Sequence, residues 1–104
     1  MLIGQTPNLP GHTPDCLADN PNDVEKCGMS LDEAIQPSVR QGEAAAAAAL
    51  GWTYVDPSVW LCAHDCPPLA YSTLLYMDDH HVTVAATELL RPQFVAAVGL
   101  DPAD

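Results

Sequence analysis

The stretch 76-YMDDHHVTVAATELL-90 puts two carboxylates and two imidazoles on four consecutive residues, between an aromatic-apolar run and a helical pattern. A histidine works as a general base when one ring nitrogen faces a nucleophile and a carboxylate holds the other. Asp78 and His81 stand three apart on what reads as a strand-to-helix loop, a spacing that lets both side chains point to one side of a turn. In that arrangement Asp78 fixes the tautomer of His81 and stabilises the imidazolium formed in the reaction. Asp-x-x-His is a common pair, however. The plainer alternative is that Asp78 or Asp79 only favours the N-terminus of the following helix. Asp79 reads as a spacer and His80 as an exposed neighbour.

Metal binding is the second chemistry to weigh. Cys16, Cys27, Cys62, Cys66, His64, His80 and His81 include the ligand types of zinc. Neither cysteine pair is C-x2-C, though, and 62-CAHDC-66 would crowd three ligands onto five residues. The expectation is therefore no metal and no cofactor, with His12 and His64 as solvated loop histidines. A nucleophile is the third requirement. The serines are Ser30, Ser38, Ser58 and Ser72, and none sits in a Gly-x-Ser-x-Gly elbow. Ser30 reads as a helix cap and Ser58 as a turn residue. The chain offers a base and its orienter, without nucleophile or oxyanion donors.

The elements that must position these residues are bounded by composition. A chain of 104 residues suggests one domain or part of one, and 48% hydrophobic residues suffice for a core. Three Lys and Arg stand against 14 Asp and Glu, a formal charge of −11. Such a field repels phosphate backbones and anionic headgroups, which argues against nucleic-acid or membrane-surface binding. No apolar run approaches the roughly 20 residues that span a bilayer. The opening 1-MLIGQTPNLP-10 lacks the basic and apolar regions of a signal peptide. Four cysteines allow three connectivities. Local pairing, Cys16 with Cys27 and Cys62 with Cys66, is favoured because each pair brackets a short loop rich in Pro, Asp and Asn. Paired cysteines point to an oxidising compartment.

Along the chain, residues 1–5 read as the end of a buried strand and 7–30 as a long loop that needs a staple. The run 30-SLDEAIQPSVRQGEAAAAAALG-51 is the clearest helix, with a Ser30/Glu33 capping box, six alanines and Gly51 at the C-cap. Pro37 predicts a break or kink within it. The segment 52-WTYVD-56 alternates as a buried strand, 57–73 forms a second loop, and 73-TLLYM-77 reads as a short extended piece. A last helix begins at Thr83, a possible N-cap, with Pro92 as an interruption. Strand, helix, strand, loop, helix in this order suggests an α/β layered fold with a parallel sheet. Because the chain opens directly on a strand, the N-terminal strands of such a fold are expected to be missing.

Several stretches together resemble a known family. The segment 74-LLYMDDHHVT-83 is similar to the "YxDDxHLT" block near the C-terminus of SGNH-type hydrolase domains. The closer resemblance is to the SGNH domain fused behind the membrane-embedded acyltransferase-3 domain in OafA-like O-acyltransferases of bacterial surface glycans. It extends to 6-TPNLPGHTPDCLADNPNDVEKC-27, to 54-YVDPSVWLCAHDCPP-68 and to the terminal helix, so it covers nearly the whole chain. The resemblance implies a three-layer α/β/α, flavodoxin-like domain with parallel strands. It also implies His81 as general base, Asp78 as its partner, and Cys16, Cys27, Cys62 and Cys66 as disulfides of an extracytoplasmic domain. The family's Gly-Asp-Ser block and the Gly and Asn blocks of its oxyanion hole would lie upstream of Met1, and Gln5 stands where relatives tend to have an Asp before Thr-Pro.

The expectation is thus that residues 1–104 are the C-terminal portion of a single SGNH domain, with stapled loops at 6–29 and 57–72 and a terminal helix at about 83–98. Such a piece would supply the Asp-x-x-His part of a Ser-His-Asp triad acting on acyl (acetyl) esters of surface glycans, and would be inactive alone. Its partners would be the upstream half of the domain, a membrane acyltransferase domain and, through the complete domain, a glycan or acyl-ester substrate, with no nucleic acid. The parent protein would place it on the extracytoplasmic face of a bacterial membrane. The alternative is a small disulfide-stapled binding module without catalysis.

Overall fold

Two short apolar stretches, Leu2–Ile3 (β1) and Tyr54–Val55 (β3), pair in parallel, Leu2 opposite Tyr54 and Ile3 opposite Val55. The computed structural model describes residues 1–99 and has the chain order β1, α1 (Thr13–Asp19), a 3-10 turn (Val24–Cys27), β2 (Met29–Ser30), α2 (Leu31–Ala34), α3 (Pro37–Leu50), β3, α4 (Ser58–Leu61), β4 (Asp65–Cys66), β5 (Leu69–Ala70), β6 (Thr73–Leu74) and α5 (Val84–Val98). The fold is mixed α/β. Its parallel sheet is limited, among the described residues, to the β1–β3 pair, while β2–β4 and β5–β6 are antiparallel. The antiparallel ribbons depart from the parallel-only expectation. Strands β2, β4 and β5 arise inside the two predicted loops, where periodicity is too short to read, while β6 falls in the extended piece expected at 73–77.

Local chemistry accounts for the elements that position the site. Ser30 caps α2, its Oγ accepting from the Glu33 amide at 3.3 Å and donating to Glu33 Oε1 at 2.9 Å. Pro37 cannot donate to a preceding turn, so the expected long helix divides into α2 and α3 with Pro37 opening the second. Gly51 ends α3 with φ 69°, a left-handed value that glycine adopts without a Cβ clash. Of the six alanines only Ala47 is buried. Helix α3 is fixed to the sheet instead by polar contacts. Arg40 donates to Asp56 Oδ2 at 2.9 and 3.0 Å, Tyr54 donates to Glu43 Oε1 at 2.9 Å, and the Gln5 amide donates to Glu43 Oε2 at 2.9 Å. Burial and the Glu43 carboxylate push the Tyr54 phenol up to about 12. Burial alone would raise the Asp56 carboxyl, but the Ser58 hydroxyl and the Arg40 guanidinium outweigh it and hold the group below its ordinary value.

The two cysteine-rich loops are less irregular than expected. The first contains α1 and the 3-10 turn, joined by Cys16–Cys27; the second contains α4, β4 and β5, with Cys62–Cys66 closing four residues. They are stitched to each other where Met29 pairs with Cys66 and Ser30 with Asp65. At this crossing a Cβ on Gly28 would lie 2.6 Å from the Cys66 carbonyl oxygen, so the approach requires glycine. The main core lies just behind: Leu9, Ala34, Cys66, Leu75, Tyr76 and Ala86 are buried together, with Met29, Leu31 and Val82 packed against them. Helix α5 runs through Pro92 without the expected break. The carbonyl deprived of its donor there belongs to Glu88, an exposed residue open to solvent.

Two outcomes test this architecture. Replacing Cys16 and Cys27 together by serine should lower the unfolding free energy by about 2–3 kcal/mol, because the bridge restricts an unfolded loop of 11 residues; urea denaturation measures the difference. Strands β1 and β3 each have one partner among the described residues, and half of the Ile3 side chain is exposed beside them. Open apolar edges recruit further strands. Sedimentation velocity should therefore detect species heavier than the 11.1 kDa chain as concentration rises; a single monomeric boundary would count against open edges.

Candidate active site

Buried Leu75 and Tyr76 lead into the dyad turn, and Val82 and Thr83 lead out of it. Tyr76 bridges to Val82 in antiparallel fashion, and the Met77 amide donates to the His81 carbonyl at 2.8 Å, closing a tight loop over residues 77–81. Thr83 pins the far end. Its Oγ1 donates to the Leu74 carbonyl at 2.6 Å and accepts from the Ala86 amide at 3.0 Å, while its own amide donates to the Leu75 carbonyl at 3.0 Å. The cap of α5 is therefore Thr83, and neither aspartate is spent on that helix.

The outer side of the turn is held by a distant segment. The carbonyls of Asp78, Asp79 and His80 accept, in succession, the Thr13 amide at 3.1 Å, the Leu9 amide at 2.8 Å and the Thr6 hydroxyl at 2.9 Å. Residues 6–13 thus run along the turn and leave its side chains facing away from these bonds. Inside the turn, Asp78 Oδ1 accepts from the amides of His80 at 2.9 Å and His81 at 2.7 Å. Asp78 Oδ2 meets His81 Nδ1 at 2.6 Å. The His80 and His81 amides, then the His81 ring, hold the Asp78 carboxyl well below the usual carboxylate range.

An ionised carboxylate only accepts, so Nδ1 of His81 carries a proton, and in the neutral ring the lone pair then sits on Nε2. That is the tautomer a general base needs, and the ring is accessible, with 64% of the side chain exposed. The structure brings Asp78 and His81 into contact, as their three-residue spacing allows. That spacing misses a second pair: His80 Nδ1 lies 2.6 Å from Asp79 Oδ1, and the His80 and His81 rings pack at a centroid distance of 4.1 Å. Adjacent residues at a sharp turn can pair with their own neighbours, which no three-residue spacing rule detects. His12 is not merely solvated, since its Nδ1 accepts the Asp15 amide at 3.4 Å and caps α1. His64 is exposed beside Asp65. Ser58 is buried with its hydroxyl on Asp56 at 2.6 Å, and Ser30 is committed to its cap. Among the described residues no serine hydroxyl hydrogen-bonds the His81 ring. All four cysteines are taken up in disulfides and offer no thiolate.

The family model described as "SGNH domain (fused to AT3 domains)" matches residues 1–96. The chain belongs to this SGNH family. Searches of the curated proteins and of the solved structures returned no match. The family description itself couples these domains to acyltransferase-3 domains. No helix among the described residues is long and apolar enough to cross a membrane.

The depressed Asp78 value has a testable sign. A carboxyl whose folded value lies below its unfolded value contributes stability above the ordinary range, near pH 3.9 (about), and loses it only as pH falls through the folded value. Followed by carbon NMR, the Asp78 carboxyl should stay ionised through the region near pH 4 (about) where free aspartates titrate. A midpoint at the ordinary value would remove the three-donor arrangement.

Proposed function

We propose that this SGNH chain supplies the base and its orienter to a Ser-His-Asp triad of an O-acyltransferase or esterase domain acting on acyl, in particular acetyl, esters of bacterial surface glycans. The observation that carries the reading is the 2.6 Å contact between His81 Nδ1 and an Asp78 carboxylate already anchored by two backbone amides. His81 Nε2 takes the proton from the serine hydroxyl as that oxygen attacks the ester carbonyl, and returns it to the leaving alcohol oxygen. Asp78 stays ionised throughout and stabilises the imidazolium.

The 104 residues contain no Gly-Asp-Ser block, so the nucleophile and the oxyanion donors come from another segment of the domain. The open edges of β1 and β3 are where its further parallel strands would add, completing a three-layer α/β/α sheet, and exposed alanines of α3 leave room for close packing. A membrane acyltransferase domain in the same protein supplies the acyl group, and the domain works on the extracytoplasmic face, where two disulfides persist.

The chain alone should hydrolyse an activated acetyl ester no faster than its His81→Ala variant. Joined to a family segment bearing the Gly-Asp-Ser block, it should gain hydrolysis that His81→Ala abolishes and Asp78→Asn lowers at least about 100-fold. Turnover in the joined domain that is indifferent to His81 would overturn the base assignment.

A further inference from the structure

The second histidine of the turn has no task in the triad, yet it too meets a carboxylate. Each ring is fixed by a carboxylate at 2.6 Å, His81 by Asp78 and His80 by Asp79, and each keeps one nitrogen free. One ligand atom from each of Asp78, His80 and His81 lies within 4.8 Å of the other two. Two donors on one tetrahedral zinc-sized ion, at bond lengths of about 2.0–2.1 Å, sit about 3.3 Å apart. Binding would therefore draw the three side chains together and release Asp78 from part of its present hydrogen bonding. His80 and His81 are 42% and 64% exposed, which leaves their rings free to turn and the entry path open.

We propose that the Asp78–His80–His81 turn binds a divalent transition-metal ion of the zinc class and that this ion and the triad compete for His81. Two imidazoles and one carboxylate match borderline ions such as zinc in preference to magnesium or calcium, which favour all-oxygen sets. Asp79 on His80 supplies the outer carboxylate that orients a ligating imidazole and raises its basicity. The formal charge of −11 concentrates cations around the turn. Three protein ligands leave a further position for water, as in an open site.

Competition follows from proton accounting. An ion on Nε2 of His81 occupies the lone pair that would accept the serine proton. An ion on Nδ1 displaces Asp78 and moves the ring proton to Nε2, with the same result. Metal binding itself does not rest on the triad reading; only the competition does.

The test uses the untagged chain with its disulfides intact, titrated with zinc after metal removal by chelator, and followed by calorimetry and histidine ring NMR. One equivalent should bind, shifting the His80 and His81 ring signals and leaving those of His12 and His64 in place. Because every histidine of this chain lies beside an aspartate, His12→Ala and His64→Ala are matched controls that should bind as the parent does. His80→Ala and His81→Ala should each weaken binding about tenfold or more, and magnesium should not substitute. Amide spectra that match the parent show that these exposed substitutions leave the fold intact. Binding unaffected by His80→Ala, or lost in the His12 or His64 controls, overturns the site. If zinc binds as described but the joined domain shows no His81-dependent hydrolysis, the site stands and the triad reading falls.

Discussion

Three consecutive carbonyl groups, those of Asp78, Asp79 and His80, are bonded to Thr13, Leu9 and Thr6, and the geometry of the site depends on that contact. A turn carrying two aspartates and two histidines has many conformations in water, and ordering each residue costs about 1–2 kcal/mol of backbone entropy. Fixing its outer carbonyls onto a second segment removes most of that freedom and leaves the amides of His80 and His81 pointing inward. The Asp78 carboxylate then has a prepared seat. Its ionised state and the tautomer of His81 follow from the same hydrogen bonds.

The rest of the fold serves this contact. Residues 6–13 stay in place because the Asn8 amide reaches the Ala34 carbonyl at 3.1 Å and because Leu9 is buried in the core. Helix α1 follows directly, and its bridge from Cys16 to Cys27 limits how far the loop can drift. The second stapled loop is held to the first through β2 and β4 and delivers the chain into the β5–β6 hairpin, from which Leu75 and Tyr76 descend into the core. Burial pushes the Tyr76 phenol far above its ordinary value, so this anchor stays uncharged even at strongly alkaline pH. On the other side Thr83 binds Leu74, Leu75 and Ala86 at once, so α5 begins at a fixed height relative to the turn. Six two-residue strands among the described residues thereby suffice to keep the Asp78–His81 pair in one geometry.

Much of this was legible in the residues. Ser30 with Glu33, Gly51 and Thr83 are local devices, in which side chain and backbone a few residues apart determine the outcome, and each appears where expected. Pro37 divides the helix as its missing amide requires. Pro92 does not, because its effect depends on whether the stranded carbonyl meets water or protein, and that is a property of the packed surface. The two predicted loops hide α1, α4 and strands β2, β4 and β5 of the antiparallel ribbons, since a two-residue strand has no periodicity and exists only through its partner.

The sequence by itself determined that Asp78 and His81 can share one turn, that the chain repels polyanions, and that local cysteine pairs suit short loops. It also carried the family, through motifs spread over most of its length. Only the tertiary structure decided that Asp79 takes His80 while Asp78 keeps His81. Asp78 and Asp79 are alike in type and adjacent in the chain, and they differ only in what surrounds them. The carbonyl contacts from Thr6, Leu9 and Thr13 turn the backbone so that Asp78 faces two amides and the His81 ring, while Asp79 is left to His80. The contacts that hold this arrangement come from residues 65 or more positions away, which the local spacing of the turn does not contain.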